Sequence, residues 1–215
     1  MQTLTELIVD AGMADKLLTK IDLINLLDGT PAKRYALVNK ALRQGELIKV
    51  TRGLYFLAQK YRSEKISQLI LANHIVAYSY ISLESALAYH GWIPEKVTTI
   101  FSVIPSGRNR SFTTAYGDYT YEKISTNKFE FLTGVASHVV NNQNCLVASP
   151  LRALADYIYL RKPKENNLDF LQQSLRIEAK DLATITAIEI ETLKKAFKTK
   201  KVIQFLNKLK RELKK

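Results

Sequence analysis

The sequence predicts an α+β fold in two parts, and three observations carry that prediction. Apolar residues recur at helical spacing in three short segments up to residue 45, then alternate at strand spacing over 46–57. Beyond residue 65, strand-like runs are interleaved with capped helical ones, and the last fifty residues read as helix. Charge, finally, is segregated. Residues 30–62 hold eight Lys and Arg against one Glu, and residues 194–215 hold ten against one Glu, whereas 1–29 is net −3 and 63–193 net −1. The overall +12 is therefore two basic blocks around a neutral body, a pattern that marks interaction surfaces.

TLTELIVDAG (3–12) predicts a first helix, with Leu4, Leu7, Ile8 and Ala11 inward and Gly12 closing it. LLTKIDLINLLDGT (17–30) predicts a second, with Ile21, Ile24 and Leu27 on one side and Asp28-Gly29 as a turn. The third helix has the fullest punctuation. Thr30 is a good N-cap, Pro31 is preset for the first turn, and Gly45 stands where a left-handed cap belongs. Tyr35, Val38 and Leu42 are expected to face inward, with Lys33, Ala36, Lys40 and Arg43 opposite and Arg34 on a flank.

ELIKV (46–50) and GLYFL (53–57) then predict a hairpin turning at Thr51-Arg52-Gly53. Three short helices and a hairpin make a winged helix-turn-helix layout, whose third helix enters the major groove of DNA. A helix of about 13 residues is roughly 20 Å long, enough for that groove. The expected DNA-contacting residues are Thr30, Lys33, Arg34, Lys40, Arg43, Lys49 and Arg52. Lys33 or Arg34 is expected at guanine edges and the others on the backbone. A basic helix that merely faces water is the competing reading of the same residues.

QKYRSEK (59–65) is a polar connector. The expected division is a DNA-binding domain over 1–60, a linker over 61–65 and a mixed α+β effector domain over 66–215, ending in a helical, basic tail. In the second part, SLESALAYHGW (82–92) predicts a helix with Ser82 as N-cap and Leu83, Ala86, Leu87 and Tyr89 as its apolar set. Strands are expected at Val97–Ile104, on both sides of a Gly117-Asp118 turn, in FEFLTGVASHVV and in NCLVA. Ser149-Pro150 opens a helix over LRALADYIYLR, and LDFLQQSL (168–175) begins the closing helical region. There Val202, Leu206, Leu209 and Leu213 are spaced as an inward stripe.

No catalytic constellation emerges: there is no phosphate-cradling Gly loop and no paired metal-ligand spacing. The expectation is a protein that is not an enzyme, has no cofactor or metal, and contacts no membrane. The single Cys145 excludes an internal disulfide and fits the cytoplasm. The start of the chain does not read as a signal peptide, and no apolar run is long enough to span a bilayer. His90 reads as a helix-end histidine or a partner contact, and Asp156 as a polar anchor. Arg108 and Arg110 read equally as an anion site or a solvated tip. In the tail, Lys194, Lys195, Lys198, Lys200, Lys201, Lys208 and Arg211 are candidates for contacting a partner protein or nucleic acid.

The winged helix ending in RGLYFL, then YISLESALAYHGW, then SPLRALADYIYL, resembles the AbiEi family of antitoxins from bacterial abortive-infection toxin–antitoxin systems. The likeness extends over nearly the whole chain. It implies a transcriptional autorepressor that binds inverted repeats in its own promoter. It also implies a C-terminal domain that neutralises a nucleotidyltransferase-like toxin, directly or indirectly, in defence against phage. By position, the resemblance puts DNA contact on Lys33, Arg34, Lys40 and Arg52. Two other classes stay open: a winged-helix regulator with a ligand-sensing second domain, and an enzyme carried to nucleic acid by its basic blocks.

Overall fold

Thr3 opens α1 (Leu4–Asp10) with a capping box: its hydroxyl accepts the Glu6 N–H while the Glu6 carboxylate accepts the Thr3 N–H. Leu4 and Ile8, one turn apart, are buried. These belong to a computed structural model of the protein that describes residues 2–163 and 168–213. The second expected helix begins later than the sequence suggests. Leu18–Thr19 forms a short strand, β1, and α2 (Lys20–Leu26) follows it, because Thr19 and Asp22 make a second capping box there. The face of α2 is also turned. Leu23 and Leu27 are inside, whereas Ile21 is 68% exposed and Ile24 37%.

α3 (Pro31–Arg43) has the expected cap: the Thr30 hydroxyl accepts the Lys33 N–H, and Gly45 has φ +67°. Its inward line centres on Ala41, with Leu37, Val38 and Leu42 packed beside it. Tyr35, expected inside, is 72% exposed. Three apolar residues within 60° of a wheel do not say which edge of the stripe meets the core. The hairpin forms as expected from β2 (Leu47–Thr51) and β3 (Leu54–Leu57), turning at Gly53 with φ +82°. With β1 it makes an antiparallel sheet in the order β1-β3-β2.

This small sheet serves two cores. Leu57 and Leu47 join Leu4, Ile8, Leu18, Leu23, Leu27 and Ala41 in a first cluster. Leu54 and Phe56, with Leu17, belong instead to the large core, and Phe56 meets Tyr116 edge-on at 6.2 Å. The connector is pinned: Arg62 Nε donates to the Leu57 carbonyl at 2.8 Å, and the Asp15 carboxylate accepts the Ser63 hydroxyl and the Glu64 N–H.

The second part is a mixed six-stranded sheet covered by helices. α4 (Gln68–Ile75) went unread in the sequence, since Leu69, Ile70, Leu71 and Ala72 run consecutively and show no period. After β4 (Tyr80–Ile81) and α5 (Leu83–Tyr89) come β5 (Thr99–Ile104), β6 (Arg110–Thr114), β7 (Gly117–Lys123), β8 (Val135–Val140) and β9 (Gln143–Ala148). Their order is β6-β7-β5-β4-β9-β8, with β5–β7 and β4–β9 parallel and the other pairs antiparallel. Gly117 begins a strand, so the turn falls two residues earlier than expected, at Ala115-Tyr116. FEFLTG is not a strand; pairing starts at Val135.

α6 (Pro150–Arg161) is capped by Ser149 as expected and packs on α5. The closing region is broken into α7 (Asp169–Gln173), α8 (Ala179–Leu182), α9 (Ala187–Lys194) and α10 (Lys200–Glu212). Val202, Leu206 and Leu209 are buried, as their spacing predicts, and Leu213 packs at the margin. No helix among the described residues is long and apolar enough to cross a membrane.

Candidate nucleic-acid interface

The surface of α3 and the β2–β3 turn brings most of the N-terminal cations to solvent. Thr30, Lys33, Lys40 and Arg43 on α3, Lys49 on β2 and Arg52 at the turn are all exposed, none of them covered by the larger body. With an advance of about 100° per residue, Ala32, Ala36 and Arg43 form the outer crest of α3, with Lys33 and Lys40 along one flank. Tyr35 is on the other flank. The Lys33 side chain lies over the preceding turn, where a Cβ on Gly29 (φ +100°) would sit 2.9 Å from its Cδ. The positive φ favours glycine there, while the exposed lysine side chain can swing aside.

Arg34 behaves differently from its neighbours. It is half-buried, and its Nε donates to the Leu27 carbonyl at 2.7 Å. Leu27 is the C-cap of α2, so the guanidinium satisfies a helix-end acceptor and ties α2 to α3. Beside it, an open groove of about 680 Å³ separates α2, α3 and the hairpin turn. Ile24, Tyr35, Val38 and Tyr55 line it, and Lys20, Arg34 and Arg52 stand at its rim.

The tail residues are not one basic face. Lys194 pairs with Glu191, which Lys210 also reaches, at 2.7 Å. Lys201 Nζ donates to the Pro163 carbonyl at 2.6 Å, and Lys208 also has an intramolecular partner. Lys195, Lys198 and Lys200 are exposed around the α9–α10 turn, and Arg211 is exposed at the far end of α10. Residues 214–215 lie outside the described residues. Arg108, in the β5–β6 connection, and Arg110, the first residue of β6, are exposed.

The chemically densest cluster is elsewhere and closed to solvent. Arg152 Nε meets Asp156 Oδ1 at 2.8 Å, one turn along α6, and both side chains are fully buried. Arg152 also donates to the Tyr80 hydroxyl at 2.6 Å and to the Thr133 carbonyl at 2.7 Å. The Asp156 carboxylate accepts from Tyr80 at 2.8 Å and from Ser82 at 2.7 Å. Ser82 therefore gives its hydroxyl to Asp156 rather than capping α5, a correction to its expected role. The Arg152 guanidinium lies over the rings of Tyr80 and Phe197. Burial pushes the Tyr80 hydroxyl well above its ordinary range, with the Asp156 charge adding to the effect. This arrangement anchors the sheet to α6, as the reading of Asp156 anticipated. Arg152 escaped that reading, although a lone i, i+4 Arg–Asp pair in an apolar helix was its signal.

His90, at the C-cap of α5, sets Nε2 2.9 Å from the Ala148 carbonyl, and its ring meets Tyr89 and His138 edge-on. Burial pushes its pKa below the ordinary 6.5. No group of three His, Cys, Asp or Glu among the described residues is placed to hold a metal ion. A scan of protein-family models and a search of curated proteins return no match to this chain.

Proposed function

We propose that the N-terminal part is a winged helix-turn-helix and that the protein is a DNA-binding antitoxin of the AbiEi type. In this reading it acts in the cytoplasm, represses its own operon at inverted repeats and neutralises a nucleotidyltransferase-like toxin. The observation that carries the DNA half is the solvent-facing α3, with Lys33, Lys40 and Arg43 outward, followed directly by a hairpin with Arg52 at its turn. The acidic supporting helices and the basic third helix give the polarity that a phosphate surface needs. The N-terminal peptide N–H groups of α3 favour a phosphate, and Lys40, Arg43, Lys49 and Arg52 position the backbone. Arg34 closes the α2–α3 turn, which leaves Lys33 as the lysine best placed for base edges. The antitoxin half is supported by the order of the three resembling segments.

The test is a gel shift on the chain's own promoter with Lys33→Ala, Lys40→Ala and Arg52→Ala combined. Binding is expected to fall while the thermal midpoint holds, because all three are exposed. About five phosphate contacts give a log K against log salt slope near −4 to −5, and each contact removed lowers the slope by about 0.9. Unaltered affinity in the triple variant would refute the assignment. Growth rescue on co-expression with a nucleotidyltransferase-like toxin tests the other half.

A further inference from the structure

Strand β8 is an outer strand of the large sheet, and its edge is unlike the opposite one. The opposite edge, β6, begins at exposed Arg110, follows exposed Arg108 and is rich in hydroxyls. Charges of that kind keep a free edge from pairing with another chain. β8 reads VASHVV: no Lys, Arg, Asp or Glu, no Pro, no Gly, and an unbroken register with β9 from Val135↔Ala148 to Val140↔Gln143. Val139 is 70% exposed, and the turn leading into the strand exposes Phe129 and Leu132.

The phase of this edge follows from its hydrogen bonds. Asn141 and Asn142 both have positive φ, a two-residue turn closing on the Val140–Gln143 pair. Antiparallel residues alternate between bonding to the partner strand and pointing away. The Gly134 carbonyl accepts the Ser149 N–H at 2.7 Å, on the β9 side, whereas the Val135 N–H turns outward to the Leu132 carbonyl. Ser137 and Val139 share the outward phase of Val135. Among the described residues, neither has a partner for its outward N–H or C=O.

We propose that β8 pairs with β8 of a second copy of this chain, antiparallel, about a two-fold axis at His138. Ser137 of each copy then faces Val139 of the other, and the four unpaired N–H groups and four C=O groups of the two copies form four reciprocal bonds. A second copy is the occupant that suits this edge on charge. Each chain has a net charge of +12, which disfavours contact between its basic blocks, and β8 supplies a seam without opposing Lys or Arg. An isologous contact also needs a self-complementary pattern, which the Ser137/Val139 pair has. The inference does not rest on the DNA reading. Were that reading to hold, a two-fold dimer would match inverted repeats.

The test is sedimentation of the full chain without DNA, over a wide concentration range. The wild type is expected to show a monomer–dimer equilibrium. Val139→Lys places a charge on the seam, and Ser137→Pro removes an outward donor that is unbonded in the monomer. Each is expected to weaken the dimer by about tenfold or more with an unchanged circular-dichroism spectrum. A chain that stays monomeric throughout, or a dimer that both variants leave intact, overturns the proposal. No DNA enters the measurement, so failure of the regulator reading leaves its outcome untouched.

Discussion

Asp156 sits where an unpaired carboxylate would lose several kcal/mol of hydration, and three side-chain donors converge on it instead: Arg152, Tyr80 and Ser82. Removing it would strand the Arg152 charge in a site where that side chain has no exposure. Asp156→Ala is therefore expected to destabilise the fold by about 3–5 kcal/mol, read from the midpoint of urea unfolding. A loss below about 1 kcal/mol would show that the cluster relaxes to water. At this scale the sequence was only half legible. Asp156 stood out as a polar residue in an apolar helix, but its partners on β4 and at the start of α5 are more than seventy positions away. No local spacing reveals a contact of that separation. Arg34 is the complementary case. It was read as lying on a flank, but it falls in line with buried Ala41 and is half-buried, and its bond to the Leu27 carbonyl depends on how two helices meet.

Among elements, the capped ones were the most legible. α3 and α6 begin where Thr30-Pro31 and Ser149-Pro150 say they must, since a side-chain cap and a preset φ are local physics. α4 was missed, because a helix buried on more than one side loses its period. In the tail the inward stripe was legible, whereas the role of the basic residues beside it was not. Val202, Leu206 and Leu209 were read as inward, and they are so deeply part of the core that α10 is no detachable arm. Deleting residues 200–213 is expected to cost the chain its cooperative unfolding transition. Combined Lys195→Glu, Lys198→Glu, Lys200→Glu and Arg211→Glu is expected to keep the thermal midpoint, since all four are exposed. If that reversal preserves toxin rescue, the basic tail is not the antitoxin surface. A collapsed midpoint in it would mean that these charges have structural partners.

For the whole molecule, the α+β class and the change of character near residue 60 were legible in the sequence, but the way the parts adhere was not. Leu54 and Phe56 alternate with Tyr55 and Leu57, and the small sheet feeds one face to each core. Leu54–Leu57 is an unbroken apolar run, the mark of a strand buried on both faces, but such a run does not say what each face meets. Phe56 is the test of how the parts adhere. Wild-type unfolding is expected to be a single transition, with Trp92 fluorescence, from the large core, coinciding with far-ultraviolet dichroism. Phe56→Ala is expected to lower stability by about 3–5 kcal/mol and to separate the two signals. Superimposed curves in the variant would mean that the remaining contacts suffice to couple the cores. The lone thiol has a practical consequence here. Cys145 is 1% exposed on β9, and burial pushes its pKa up, so an alkylating reagent meets it only when the packing around β9, next to the β8 edge, opens. The speed of its modification is a built-in clock for breathing of the native state, and a cysteine introduced on the surface can be labelled with little competition from it.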